Sequence, residues 1–167
     1  MSKTKSILAI IFSALTILFH TSGAYASELE TPRFVSLKHD QAFARKGPGK
    51  QYPIGWVYNR KSLPVEIILE YSDWRKVRDP LGEVSWMHKS QLSGNRTALV
   101  VPKGGNPYAL LYKDKNIDSK ILARLEESLI INILECESEW CNVRHGDFKG
   151  WIKRKSLWGI YPTERID

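Results

Sequence analysis

The feature that most constrains this chain is an internal repeat. "KSLPVEIILEYSDWRKVR", residues 61–78, lies without a gap over "ESLIINILECESEWCNVR", residues 127–144, at an offset of 66. Ser62 falls on Ser128, Leu63 on Leu129, Ile67 on Ile133, Ser72 on Ser138, Trp74 on Trp140, Val77 on Val143 and Arg78 on Arg144. After one deletion "SWMHKSQL" at 85–92 falls on "GWIKRKSL" at 150–157, which brings Trp86 onto Trp151 and Leu92 onto Leu157. Self-similarity at a fixed period marks copies of one folding unit. The expected organisation is therefore two modules, 34–93 and 98–161, joined through "SGNRTA" at 93–98.

The repeat also decides between helix and strand. Ile121, Leu122, Leu125, Leu129 and Ile133, read alone, fall at near-helical spacing. The equivalent segment of the first copy carries Pro64 in its middle, where a helix would lose about 3 kcal/mol. A conformation common to both copies must then be extended. Leu63, Val65, Ile67 and Leu69 alternate with Pro64, Glu66, Ile68 and Glu70, which predicts a strand with those four apolar residues on one face. The proline predicts either an edge strand or a strand whose first residues are loop. Turn signals such as Gly47-Pro48-Gly49, Asp79-Pro80-Leu81-Gly82 and Gly104-Gly105-Asn106-Pro107 separate further short segments, and no segment after the first 26 residues needs to be helical. The fold class is all-β, with each copy a small, strongly bent antiparallel barrel.

The N-terminus has a separate character. Lys3 and Lys5 precede an apolar run from Ile7 to Phe19 and then Gly23-Ala24-Tyr25-Ala26, the three parts of a cleaved export signal, with cleavage expected after Ala26. Residues 27–33 then read as a short linker. Removing 1–26 takes two of the 25 basic residues and none of the 18 acidic ones, so 141 residues remain with a net charge of +5. Export argues against nucleic acid as a partner, no second apolar run is long enough to span a bilayer, and the expected location is periplasmic or secreted.

Export also favours a disulfide between the chain's two cysteines, Cys136 and Cys141. If 61–78 and 127–144 are hairpins, these residues flank a four-residue loop and oppose each other across two strands, about 4.5–5.5 Å apart at Cα. The first copy has Glu70 and Arg75 there, so an exposed ion pair would replace the covalent link. A zinc site would need more ligands than His39, His88 and His145 supply at useful spacing, and a catalytic cysteine would need to be free beside a positioned base. No catalytic constellation, metal site or cofactor motif is visible.

Ala44-Arg45-Lys46-Gly47-Pro48-Gly49, then a hydrophobic strand, Trp74-Arg75-Lys76-Val77, a turn bearing Gly82, Trp86 and a closing Leu92 resemble a bacterial SH3-type domain. The second copy keeps Trp140-Cys141-Asn142-Val143, Gly150-Trp151-Ile152 and Ser156-Leu157, but has "LLYKDKNIDS" in place of the Arg-x-Gly-Pro-Gly loop. The first copy departs from the pattern at Ser85, where the family usually has Gly before Trp. The resemblance implies two tandem SH3-like barrels that act as non-enzymatic binding or targeting units of the bacterial envelope, with wall peptide or an envelope protein as partner. It also implies a shallow aromatic groove for extended peptides, and Arg45, Tyr52, Trp56, Tyr58 and Trp86 are the residues expected to form it in the first copy. Trp151 and Trp158 are alternatively expected to pack the copies together. Two other functions compete: a small wall hydrolase, and an interaction protein that presents a basic surface to acidic lipid or polysaccharide. The sequence leaves the oligomeric state open.

Overall fold

A computed structural model describes residues 29–167. The expected signal peptide, its cleavage point and the start of the linker lie outside the described residues. Strands β1 (Arg33–Leu37), β2 (Ala42–Arg45), β3 (Ile54–Tyr58), β4 (Pro64–Tyr71), β5 (Trp74–Arg78), β6 (Val84–His88) and β7 (Leu92–Ser93) form one sheet, in the order β3-β2-β6-β5-β4-β1-β7. Strands β8 (Thr97–Val100), β9 (Tyr108–Tyr112), β10 (Ile121–Glu126), β11 (Ile130–Glu137), β12 (Trp140–His145), β13 (Phe148–Lys153) and β14 (Leu157–Trp158) form the other, in the order β10-β9-β13-β12-β11-β8-β14. Subtracting seven from each label of the second sheet gives the first. Both copies therefore share one topology, and the described residues hold no helix beyond the short 3-10 turns Lys89–Gln91 and Arg154–Ser156.

The matched serines have a backbone reason. Ser62, Ser72, Ser128 and Ser138 all have φ between 48° and 65°, a left-handed conformation that small polar residues tolerate better than branched ones. Ser72 and Ser138 begin two-residue turns, because pairing continues inward to Tyr71↔Trp74 and Glu137↔Trp140. The expected four-residue loop is thus shorter, while the expected register holds: Cys136 opposes Cys141 and Glu70 opposes Arg75. The cysteines form a disulfide with a Cα separation of 4.1 Å. That spacing suits a narrow, non-hydrogen-bonded pair, since the N–H and C=O of Cys136 are taken by Ile166 of the C-terminal tail.

Two sequence expectations for β4 fail, each for a definite reason. Pro64 neither places β4 at an edge nor moves its start into a loop; β4 lies between β5 and β1, and proline occupies its first position opposite Ser36. The alternation also breaks, because a bulge between Ile67 and Leu69 reverses which face the later residues take. Val65 and Ile67 stay in the core, whereas Leu69 turns outward at 49% exposure. The second copy has the same bulge between Ile133 and Glu135. The bulge turns Cys136 inward, so the disulfide is buried, and it draws Glu70 into a largely buried ion pair with Arg75 (3.0 Å) and Arg33 rather than an exposed one.

The two sheets share a seam. Leu99 of β8 is buried within the first copy's core, and Ile130 and Trp158 pack against that core as well. Phe34 meets Trp158 edge-to-face at 5.0 Å and Tyr161 at 4.8 Å. Glu66, 8% exposed, is bonded on one side to Arg78 (3.0 Å) and on the other to the Tyr161 hydroxyl, which donates at 2.8 Å. Thr97 Oγ1 donates to the Ser62 carbonyl at 2.8 Å, and Arg60 donates to the carbonyl of Ser128. Trp158 therefore packs the copies together as expected; Trp151 does not, and lies instead beneath the Lys115 ammonium in the second copy.

With this seam residues 29–167 are expected to unfold in one transition, and Trp158→Ala to lower their stability by about 3 kcal/mol and broaden or split that transition in a urea titration. A pH effect follows from Tyr161, whose phenol is pushed well above its ordinary value by burial and then by the Glu66 carboxylate. Because the folded state holds this proton more tightly than the unfolded state, stability is full below the ordinary phenol range near 10 and declines as pH rises through it. Tyr161→Phe is expected to flatten that decline in urea midpoints measured across the alkaline range.

Candidate functional site

The first copy has a cleft of about 590 Å³ between the β2-β3 hairpin and the β5-β6 turn. Small residues create it: Ala44 is fully buried below, Gly55 has no side chain, and β6 contributes only Val84 and the small Ser85 to the lining. Trp56 (61% exposed) forms one wall and Leu81 (88%) the opposing rim. Tyr58 lies at the bottom with its ring 6.4 Å from that of Trp56.

Asp79 organises the opposite side. Its Oδ1 accepts the backbone N–H groups of Leu81 and Glu83, each at 2.9 Å, and fixes the turn; its Oδ2 accepts the Tyr58 hydroxyl at 3.1 Å. Burial, then the Asp79 charge and hydrogen bond, drive the Tyr58 phenol well above its usual range, with the Ser85 hydroxyl nearby acting in the opposite direction. Tyr58 is a neutral donor there at any physiological pH. Ser85 Oγ is buried beneath the cleft and makes no hydrogen bond of ordinary geometry within the protein. Arg45, Lys46 and Glu83 are all in its lining, so the cleft carries both signs of charge.

Of the five residues expected to form a groove, the structure brings Arg45, Trp56 and Tyr58 together. Tyr52 is elsewhere: its ring covers Gly47, where a Cβ would sit 2.4–2.6 Å from ring carbons, and its carbonyl accepts Arg45 Nη1 at 2.6 Å. It supports the Gly-Pro-Gly loop and thereby positions Arg45. Trp86 is on the opposite face of β6 from the buried Met87 and does not line the cleft. Sequence reasoning missed Asp79 and Ser85. The departure from Gly at Ser85 was the available signal, because it placed a hydroxyl where the second copy has none.

Register shows why the second copy lacks this cleft. Arg45 pairs with Trp86 as Tyr112 pairs with Trp151, and Ala44 pairs with Trp56 as Leu111 pairs with Ala123. Following that correspondence, Ala44 becomes Leu111, Gly55 becomes Leu122, Trp56 becomes Ala123, Tyr58 becomes Leu125, Asp79 becomes His145 and Ser85 becomes Gly150. Leucines fill the space, and Gly150 is required there because a Cβ would lie 2.5 Å from the Tyr112 carbonyl oxygen. His145 is outside, with Nδ1 3.0 Å from the Ile130 carbonyl.

No curated protein matches the chain. Among solved structures it is similar to NlpC2 from Trichomonas vaginalis, at 16% identity over 78% of this chain and 49% of that one, with a TM-score of 0.35. It is similar also to NlpC1 from Trichomonas vaginalis, at 16% identity over 79% and 47% with a TM-score of 0.34. An NlpC/P60 family protein from Bacillus cereus ATCC 10987 aligns at 14% identity over 75% and 55%, with a TM-score of 0.33. The chain spans about half the length of these proteins. The model of the bacterial SH3 domain matches twice, over residues 38–94 and 106–159. Two matches on two sheets of one topology place this chain in the bacterial SH3 domain family.

Proposed function

We propose that the chain is an exported, non-enzymatic binding protein whose first module takes an extended peptide of the cell wall, or of an envelope protein, in the Trp56–Tyr58 cleft. The observation that carries this reading is the cleft itself: an exposed tryptophan wall above a floor whose donors and acceptors are fixed by Asp79. An aromatic anchor beside a few fixed polar groups is the common form of a peptide or small-ligand site. Charges of both signs in its lining suit a peptide that carries both amines and carboxylates, as wall stem peptides do. Export through the leader expected at residues 1–26 would place the protein beside such peptides.

The binding reading is favoured over a hydrolase by the state of the residues a hydrolase would use. Both cysteines are joined in the disulfide, so neither is a free thiol nucleophile. Among the described residues no helix is long and apolar enough to cross a membrane.

The test is retention of the mature protein on purified peptidoglycan at low and at high salt. Retention is expected to survive high salt, since the anchor is aromatic rather than a surface charge. Trp56→Ala is expected to weaken it about tenfold or more, close to 1.4 kcal/mol, while Trp86→Ala leaves it within about twofold. Equal retention of Trp56→Ala and the unmodified protein would exclude the cleft, and release of soluble muropeptides during incubation would identify a hydrolase.

A further inference from the structure

The second module has a groove of its own, in a different place and with different chemistry. About 570 Å³ of concave surface runs along the outer side of β9 and β10, from the Gly104-Gly105 turn to the 3-10 turn at Arg154–Ser156. Lys103, Arg124 and Lys155 line it, and among the described residues none of the three makes an ion pair. No carboxylate lines it. Lys153, on the far wall, has its ammonium 3.0 Å from Glu139 and 4.1 Å from the Trp140 ring centre. Tyr108 and Tyr112 contribute half-buried rings, and the Arg124 guanidinium lies 4.9 Å from the ring centre of Tyr108. The first module's cleft, by contrast, has Asp79 and Glu83 among its lining.

We infer that this groove binds a segment of an acidic polysaccharide, with Lys103, Arg124 and Lys155 meeting its anionic groups and Tyr108 and Tyr112 packing against its sugar rings. Three unpaired cations around a hollow without any carboxylate concentrate a positive potential there that self-neutralised surface charge would not. The charges alone would suit any polyanion. Two features narrow the choice. Tyr112, edge-to-face with Trp140 at 5.4 Å, and the part of Tyr108 that the Arg124 guanidinium leaves uncovered add half-buried aromatic surface beside the cations, which suits the C–H face of a pyranose bearing a carboxylate or phosphate. The groove is also recessed, so a linear chain reaches its floor more readily than the plane of a bilayer does. This inference is independent of the first-module cleft, because none of its residues belongs to that site.

The experiment measures binding of the mature protein, at low ionic strength, to four probes: a galacturonate oligomer, a neutral dextran of equal length, poly-glutamate of equal charge, and phosphatidylglycerol vesicles. The galacturonate oligomer is expected to bind about tenfold or more tightly than poly-glutamate, and dextran not measurably. Lys103→Glu with Lys155→Glu is expected to weaken it by about tenfold or more, whereas Lys38→Glu with Lys61→Glu, an equal change in net charge outside the groove, shifts it by less than about threefold. Tyr108→Ala is expected to lose about fivefold with an unchanged urea midpoint, which separates lost stacking from lost folding. The inference is overturned if the two charge-reversed pairs lose affinity equally, if poly-glutamate matches the sugar, if the vesicles are preferred, or if no probe binds.

Discussion

A buried carboxylate holds the two halves of this protein together. Glu66 is the third residue of β4, at a position where an isolated ionised group would be strongly disfavoured, and it is accommodated because Arg78 and the Tyr161 hydroxyl each occupy one of its oxygens. Arg78 comes from the same module, whereas Tyr161 arrives from the end of the other. If the modules separate, Glu66 loses one partner, and Phe34 and Trp158 expose the rings they cover for each other. A module of about 60 residues can bury only a marginal core alone. Here the first module's core takes in Leu99 and packs against Trp158, so the second copy completes the first. Gly159 shows how close the approach is: with φ +118°, its position leaves 3.2 Å between a hypothetical Cβ and Pro64 Cβ of the first module.

Against that common frame, the differences between the copies concentrate where a ligand could reach. Positions that set backbone path are kept: the left-handed Ser62 and Ser128, the left-handed Ser72 and Ser138, and a bulge at equivalent points of β4 and β11. Positions that set free volume are exchanged. The first copy uses Ala44 and Gly55 to leave a hollow and Trp56 to wall it; the second uses Leu111 and Leu122 to fill the same space and has Ala123 where the wall would stand. Volume removed from the first interior gives a cleft, and volume added to the second gives a tighter core. The disulfide and the Glu70–Arg75 pair are two chemical solutions to one narrow, buried opposition across a hairpin.

Much of this frame was legible because each copy tests readings of the other. Pro64 excluded the helix suggested by residues 121–133, and the opposition of Glu70 with Arg75 supported that of Cys136 with Cys141. The bulge was not legible, because a run such as Ile67-Ile68-Leu69 keeps the same composition whichever face its last residue takes. Nor was the burial of Glu66, since its partner Tyr161 is 95 residues away. For the cleft, aromatic content pointed equally to Trp56 and Trp86. Only the phase of β6, with Met87 inward, decides that Trp86 faces away. Asp79 looked like one more member of an Asp-Pro-Leu-Gly turn, and its second oxygen acquires a role only when the fold brings Tyr58 against it.

The seam gives the divergence its mechanical meaning. Two beads on a flexible linker would present their grooves at an effective concentration that falls as the linker lengthens, and each encounter would require ordering the linker again. Here β7 and β8 are separated only by Gly94, Asn95 and Arg96, and the Arg96 guanidinium is bonded both to Glu164 and to the Gly159 carbonyl (3.0 Å). The join is therefore fixed at the same place where the C-terminal tail folds back. Such bracing sets the spacing and direction of the two unlike grooves before any ligand arrives, so the ordering entropy is lost in folding rather than in binding. A polymer whose chemistry alternates between peptide and acidic sugar would gain most from that arrangement, whereas a ligand able to occupy only one groove would gain nothing from it. The shared frame and the divergent grooves are thus linked: if both grooves take a ligand, their relative placement is set by the fold and not by a linker.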